Sequence, residues 1–287
     1  MGGLWTGVFA GAAALTVYVL RERKKRQPKG FAFMLLKEHP YGREMLRQLL
    51  AAGHKPAIVI QEDGGPRKPL KKNPNGPMRP SVATEEREKF LKRCEGHDIA
   101  DTIEAQCAAH GIEVVDVPQH NKHDSAAALK RANPRLLVLG GTRIIRDKPC
   151  GVLSFCVDGC INAHPGLLPE CRGSASPAWS VYHDIKIGST CHFCTAGIDE
   201  GRILGKREIA VKRGYTYEDL CYYTLVMSGT LMTEAVGVWA DGGRAGLDGV
   251  AVAQGKSDHP TFRNAGPEIL DVVHQKLRDQ TYAHYAN

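Results

Sequence analysis

An amide and an imidazole that could act on one substrate atom stand two residues apart in the segment CINAHPGLLP. They are Asn162 and His164. Residues two apart on an extended segment point to the same face. A carboxylate, Asp199, follows after a second apolar run, in a loop flanked by Gly197 and Gly201. We therefore expect an amide, an imidazole and a carboxylate at one site on strand ends, and these are the parts of an acyl-transfer site.

Acyl transfer to an amine passes through a tetrahedral oxyanion, which sets the role expected of each group. Asn162 and a protonated His164 can hold the oxyanion, and losing one such donor costs about 2.7–4 kcal/mol of barrier. Asp199 beside the histidine would orient the ring and could receive a proton from the attacking amine. The chain has no G-x-S-x-G motif, so we expect no covalent acyl-enzyme.

Four motifs, in chain order, resemble the family of formyltransferases that use 10-formyltetrahydrofolate. They are NAHPGLLP, the pair Arg172-Gly173, GSTCHF and GIDEG, and the resemblance covers roughly residues 31–240. It implies that Asn162, His164 and Asp199 are the catalytic trio. It also implies a second histidine, His192, on the strand before the Asp199 loop.

The same resemblance implies a folate co-substrate, 10-formyltetrahydrofolate, and places its binding in two segments. One follows Gly140-Gly141, and the other is the loop that delivers Asp199. The residues concerned are Arg143, Ile144, Ile145, Thr195, Ala196, Gly197 and Ile198.

No metal is expected, because the motif Cys191-His-Phe-Cys194 stands alone and a zinc site of this type needs a second pair. The nine cysteines are an odd number without a framework spacing, which predicts free thiols.

The acceptor side of the site has two sets of candidates. The turn after the first strand holds His39, Tyr41 and Gly42, which could bind a phosphate or another polar group of the substrate; the alternative is a plain strand–helix turn. Arg172, with Gly173, could bind an anionic part of the substrate or only tie down its own loop.

The elements that must position these residues alternate between strand and helix. Apolar runs predict strands at 31–36, 56–60, 112–117, 135–139, 153–157 and 188–193, and the resemblance implies a further strand at 202–211. Helical periodicity appears at 43–52, 85–95, 98–110, 125–132, 217–239 and 267–277. The sequence predicts an α/β fold, and the resemblance makes it a Rossmann-like formyltransferase fold: a mostly parallel central sheet with helices on both faces. The segment 62–81, rich in Pro, Gly and Lys, should be an irregular loop, either a lid or a disordered insertion.

The N-terminus predicts a membrane anchor. Residues 4–20 carry no charge and are followed at once by RERKKR, at the lower length limit for a span and with the basic flank on the cytoplasmic side. We expect a transmembrane helix before the fold and a single-pass membrane localisation with the catalytic domain on the cytoplasmic side; a mitochondrial membrane is one version of this localisation. The predicted domains are an anchor with its basic flank (1–30), a catalytic domain (31–240) and a C-terminal extension packing on it (241–287).

The distribution of charge along the chain limits the classes of partner that we expect. The net charge is +7, of which residues 1–30 supply +5, so the basic balance is local and a nucleic-acid partner is not expected. We expect formyl transfer to a small amine. Three alternatives stay open: a 10-formyltetrahydrofolate hydrolase, a methionyl-tRNA formyltransferase-like enzyme without its C-terminal domain, and a non-catalytic folate-binding scaffold.

Overall fold

The computed structural model describes residues 30–69, 71–73 and 76–286, and these form seven strands and seven helices. The strands are β1 (Phe31–Leu36), β2 (Ile58–Glu62), β3 (Val114–Val117), β4 (Leu136–Leu139), β5 (Cys160–His164), β6 (Gly188–Phe193) and β7 (Ile203–Glu208). The helices are α1 (Pro40–Ala51), α2 (Val82–Arg93), α3 (Ile103–His110), α4 (His123–Ala132), α5 (Ser176–Tyr182), α6 (Tyr217–Val250) and α7 (Pro267–Arg278).

The strands form a single mixed sheet in the order β3-β2-β1-β4-β5-β6-β7. The first five of these are parallel to one another, while β6 runs antiparallel to β5 and β7 antiparallel to β6. Parallel strands place their carboxyl ends at one edge, so the turns after β1, β4 and β5 lie side by side. The predicted mostly parallel α/β sheet is confirmed.

The central strand β1 is buried along its whole length, as expected for a parallel strand with both faces covered. Alternate residues contact different layers. Phe33 packs with residues of α1, α3 and α6, whereas Met34 packs with residues of α4 on the other face. Helices therefore cover both faces of the sheet.

The last strand, β7, is an edge of the sheet, and its outer half is exposed. Its charged side chains are paired: Lys206 with Glu170 at 3.4 Å and Arg207 with Glu234 at 3.1 Å. At the first residue of β7, Ile203 exchanges two backbone hydrogen bonds, of 2.7 and 2.8 Å, with Val252. The edge is thus covered at one end and charged at the other.

The membrane prediction requires a correction. The predicted anchor lies within residues 1–29, outside the described residues, while no helix in the described part of the chain is long and apolar enough to cross a membrane. The longest helix, α6, has 34 residues, but tyrosines, threonines and acidic side chains interrupt its apolar ones. The predicted fold class with a transmembrane helix and the predicted single-pass membrane localisation are therefore wrong as stated, and a membrane partner has no support.

Two smaller predictions also differ from the structure. The expected short strand at 153–157 is a turn region. The helix expected to end at Trp239 runs on to a kink at Gly243, whose φ and ψ are non-helical, and a second helical segment then reaches Val250. Leu247, beyond the kink, is fully buried, so the second helical segment packs on the core. The proposed boundary between residues 240 and 241 falls inside this helix.

Candidate active site

Strand β5 carries Asn162 and His164 on one face, near the carboxyl edge of the sheet. It is an interior strand, in which Asn162 lies opposite Leu139 of β4 and opposite His192 of β6. His164 is only 4 % exposed, whereas Asn162 is half-buried. Backbone hydrogen bonds to β4 and β6 fix the strand that carries both side chains.

The Asp199 carboxylate meets both histidines. Its Oδ2 lies 3.5 Å from Nδ1 of His164, and its Oδ1 lies 3.6 Å from Nε2 of His192. The backbone N–H of Gly173 donates to Oδ2 at 2.8 Å. The three residues that the sequence analysis grouped, Asn162, His164 and Asp199, are therefore brought together, with His192 between the amide and the carboxylate.

His192 fixes the orientation of Asn162. Its Nδ1 is 2.8 Å from the carbonyl oxygen of Phe193, and since a carbonyl only accepts, Nδ1 carries the proton. Nε2 is then an acceptor and faces the amide nitrogen of Asn162 at 3.4 Å. Burial lowers the pKa of His192, and the Asp199 carboxylate opposes this shift without reversing it. A neutral His192 thus accepts one N–H of Asn162, and the second N–H has no partner within the part of the chain that the structure describes.

His164 has oxygen atoms on both sides of its ring. Nε2 lies 2.7 Å from the carbonyl oxygen of Cys171 and 3.0 Å from the hydroxyl of Ser176. Nε2 therefore carries a proton that it donates to the carbonyl, and Nδ1 faces Asp199.

The loop that carries Asp199 joins β6 to β7 as a hairpin. Its ends are held by a 3.0 Å hydrogen bond from the N–H of Phe193 to the carbonyl of Arg202. Asp199 itself has φ of 54°, a backbone conformation that non-glycine residues adopt at an energetic cost. Surrounding contacts must therefore hold this residue in place.

The predicted folate-binding residues lie on two exposed loops. Arg143 pairs with Glu62 at 3.7 Å and is half-exposed. Ile144 is 49 % exposed, whereas Ile145 is buried in the core below it. Asn121 ties this turn by donating to the carbonyl of Ile144 at 2.8 Å. In the Asp199 loop, Ile198 is 41 % exposed. An exposed isoleucine on each loop offers apolar surface to a flat ring; the binding role stays a prediction.

The predicted substrate-binding residues after β1 make structural contacts. His39 is buried, caps α1 by accepting from the N–H of Tyr41 at 3.2 Å, and lies against the ring of Phe90. Tyr41 is buried too, and its hydroxyl donates to the carbonyl of Ala163. Gly42 packs closely against the carbonyl of Gly140. These contacts support the strand that carries the site. The side chains of His39 and Tyr41 are buried, so they face the protein interior.

Arg172, the other substrate-binding candidate, lies beside the Asp199 loop. Its Nη2 donates to Oε1 of Gln254 at 3.1 Å, and Nη1 is 4.0 Å from Glu200. Its Nε is buried and has no hydrogen-bond partner among the described residues. Gly173 follows it and holds Asp199, as described above.

Two contributors to the site had not been predicted. Ser176 and Gln254 touch His164 and the Asp199 loop respectively. Ser176 belongs to the segment GSAS that follows Arg172, where a small polar residue near the motif was a weak signal. Gln254 is 55 residues beyond Asp199 and belongs to no motif, so nothing in the sequence indicated it.

The chemistry of metals is not suggested by the described residues, which contain no cluster of three or more His, Cys, Asp or Glu side chains able to hold an ion. All nine cysteines are free. Cys191 is fully buried on β6, and burial holds its pKa well above the usual value for a thiol.

Comparison with known proteins places this site in context. Residues 31–236 match the family model described as formyl transferase. The methionyl-tRNA formyltransferase of Ehrlichia ruminantium (strain Gardel) is 26% identical over 179 residues, which cover 62% of this chain and 54% of the relative. The chain thus spans about half the length of this curated relative.

Solved structures share the fold. The glycinamide ribonucleotide transformylase 1 of Symbiobacterium toebii aligns with a TM-score of 0.52 and 20% identity, over 74% of this chain and 88% of that one. A formyltetrahydrofolate deformylase from Pseudomonas syringae pv. tomato aligns with a TM-score of 0.52 and 18% identity, over 80% and 65%. At such identities the likeness concerns the fold alone.

Proposed function

Since this chain belongs to the formyl transferase family, we propose that it transfers a formyl group from 10-formyltetrahydrofolate to a primary amine, with Asn162, His164 and Asp199 as catalytic residues. The observation that carries the proposal is the Asp199 carboxylate lying 3.5 Å from His164 and 3.6 Å from His192. This contact joins groups from β5, β6 and the hairpin loop, and it supplies donors and a base at one point.

The proposed reaction needs no covalent enzyme intermediate. The amine nitrogen attacks the formyl carbon, a new C–N bond forms, and the carbonyl oxygen becomes an oxyanion. The free N–H of Asn162 and the Nδ1 side of His164 stabilise this oxyanion. The 3.5 Å distance from Nδ1 to Asp199 exceeds that of a strong hydrogen bond, so a proton on Nδ1 is available to the substrate.

Collapse of the oxyanion completes the transfer. The bond from the formyl carbon to the folate nitrogen breaks, and that nitrogen leaves with a proton from His164. The amine loses its own proton to Asp199, directly or through a water molecule. Tetrahydrofolate and a formamide are the products, and transfer of the proton from Asp199 to His164 restores both side chains.

The acceptor is proposed as a primary amine, either on a small molecule or on an aminoacyl-tRNA. The curated relative above is named for methionyl-tRNA. The segment 62–81 carries five basic residues, of which Lys68, Lys71 and Lys72 are exposed. Such a local positive charge suits a phosphate backbone. This observation favours methionyl-tRNA as a second candidate acceptor, next to the small amine expected from the net charge.

Release of tetrahydrofolate from 10-formyltetrahydrofolate tests the proposal. The full chain is assayed without an acceptor, with a panel of small primary amines, and with methionyl-tRNA. Acceptor-dependent release is the expected result. Release that needs no acceptor would instead indicate a hydrolase, and folate binding without release would indicate a scaffold.

Variants then test the residues. Asn162→Ala should lower kcat/KM by about 100- to 1000-fold, the usual loss for one oxyanion donor. His164→Ala should abolish turnover while the protein stays folded. His110→Ala serves as the control, because His110 is exposed at the end of α3. Full activity of the His164→Ala protein would show that the assignment is wrong.

A further inference from the structure

A segment beyond the family match crosses both loops of the candidate site. The match ends at residue 236, and residues 251–262, which follow α6, are called the strap here. The strap runs from Val252, beside the start of β7, to Phe262, beside Gly173. It thus begins at the Asp199 hairpin and ends at the Arg172 loop.

The strap holds the Asp199 hairpin through one side chain. The amide nitrogen of Gln254 donates to the carbonyl of Asp199 at 2.8 Å and to the carbonyl of Gly201 at 2.6 Å. An amide nitrogen has two N–H groups, and both are used. The two carbonyls flank Glu200, so the bonds fix the backbone on both sides of this residue.

The same side chain reaches the second loop. Oε1 of Gln254 accepts from Nη2 of Arg172 at 3.1 Å. Further along the strap, the N–H of Phe262 donates to the carbonyl of Arg172 at 2.9 Å, and Phe262 accepts from the N–H of Ser174 at 3.0 Å. The strap is therefore bonded to residues on both sides of Gly173.

The ring of Phe262 anchors this end of the strap. It is 6 % exposed and stacks on Trp179 with centroids 4.9 Å apart and an interplanar angle of 11°. The indole N–H of Trp179 donates to the carbonyl of Arg263 at 2.7 Å. A buried, stacked ring gives the strap a fixed point from which the bonds of Gln254 act.

The two loops that the strap holds are joined by a hydrogen bond from the N–H of Gly173 to the carboxylate of Asp199 at 2.8 Å. Asp199 sits in a costly backbone conformation, with φ of 54°, which persists only when neighbouring contacts enforce it. The bonds from Gln254 act on the carbonyl of that same residue.

We propose that Gln254 is a positioning residue, and that the strap sets the place of the Asp199 carboxylate against His164. The proposal rests on the function proposed above, because it concerns the same carboxylate. Gln254 acts through its two donated hydrogen bonds, and the bond from Arg172 contributes to holding its amide. The placement of the site thus depends on a segment outside the matched region.

Two substitutions separate these contributions. Gln254→Met keeps the length of the side chain and loses every hydrogen bond. Gln254→Glu keeps an acceptor for Arg172 but has no N–H for the carbonyls of Asp199 and Gly201. Gln275→Met is the matched control, because Gln275 is exposed on α7, and among the described residues its side chain bonds only to its own helix and Asp279.

The first measurement is amide hydrogen exchange, which does not depend on turnover. In both Gln254 variants, amides of residues 195–203 and of Gly173 should exchange about ten-fold faster, since the loop opens more often. The control should match the wild-type chain. Unchanged exchange in both variants would overturn the proposal, whatever the activity of the protein.

The second measurement is the steady-state rate. Both variants should lower kcat by about 10- to 100-fold, the range expected when a catalytic group is misplaced by about 1 Å, with KM for the folate within two-fold. Full kcat in Gln254→Glu alone would assign the effect to Arg172 and overturn the role of the donated bonds. If the wild-type chain transfers no formyl group, the proposed function fails, while hydrogen exchange still decides whether the strap holds the loop.

Discussion

Replacing Gly173 by alanine should separate the strap from the Arg172 loop. Gly173 has φ of 98°, in the region that L-residues avoid. A β-carbon there would also collide with the carbonyl group of Phe262. The substitution therefore has two effects, backbone strain and a displaced strap, and a second glycine allows them to be measured apart.

That second glycine is Gly214, which has φ of 89° and nothing within 4 Å of a β-carbon. Gly214→Ala thus introduces only the strain, about 1–3 kcal/mol. Gly173→Ala adds the loss of the two backbone hydrogen bonds between Phe262 and the Arg172 loop, each worth about 0.5–1.5 kcal/mol. The free energy of unfolding should fall by about 1–3 kcal/mol more for Gly173→Ala than for Gly214→Ala.

Urea unfolding measures this difference. Tryptophan fluorescence is a suitable signal, because Trp179 stacks on Phe262 and should report the displaced ring at low urea as well. The m-value should stay the same in both variants, so that the midpoints can be compared directly. In Gly173→Ala, the low-urea fluorescence should already differ from that of the wild-type chain.

Equal destabilisation of the two variants, with unchanged low-urea fluorescence in Gly173→Ala, would refute the reasoning. It would mean that the strap gives way to a methyl group without losing its hydrogen bonds, and so does not fix the loop. A larger gap than about 3 kcal/mol would indicate that the Phe262 ring also leaves its buried position.

Two further predictions concern the turn after β1. Burial, and then the charges of Arg93 and Lys89, lower the pKa of His39 to about 3, whereas the unfolded value is near 6.5. The unfolded chain therefore binds the proton more readily, and stability present above pH 6.5 is lost as the pH falls toward 3, with roughly 2 kcal/mol lost between pH 7 and pH 5. His39→Asn keeps an acceptor for the N–H of Tyr41 and should reduce this pH dependence of the free energy of unfolding by that amount; an unchanged slope would contradict the interpretation. Tyr41→Phe removes the hydroxyl that donates to the buried carbonyl of Ala163 and should lower the free energy of unfolding by about 1–3 kcal/mol; a change below about 0.5 kcal/mol would show that the carbonyl finds another donor.

Several strands, and the positions of the motif residues on them, were predictable because their signals are local. An unbroken apolar run predicted β1 at its observed bounds, and GSTCHF did the same for β6. The two-residue spacing of Asn162 and His164 placed them on one face, as the structure has them. The geometric condition for the site, an Asp199 carboxylate near His164, is met at 3.5 Å.

Other features depend on contacts that no local pattern records. His39 and Tyr41 look like exposed turn residues, but Phe90 of α2 and the carbonyl of Ala163 in β5 enclose them. The glycine-rich segment forms a second helical part of α6 beyond a kink at Gly243, and Leu247 from this part packs in the core. Gln254 reaches the Asp199 hairpin only through tertiary structure.

The apolar N-terminal run led to a wrong prediction because a local pattern was given too much weight. Its composition predicts a membrane span, and this prediction determined both the expected fold class and the expected localisation. Length and lack of charge alone do not distinguish a span from other segments of 17 residues. No described helix supports the expectation.

In concentrated solution, the charges of β7 should keep copies of this protein from joining through their sheets. An open strand edge offers unpaired N–H and C=O groups to another molecule, and charged side chains, lysine above all, are a common safeguard. A second copy pairing antiparallel about Lys206 would set basic side chains opposite each other and disturb the ion pairs with Glu170 and Glu234. The hairpin that presents Asp199 therefore ends in a strand protected against aggregation.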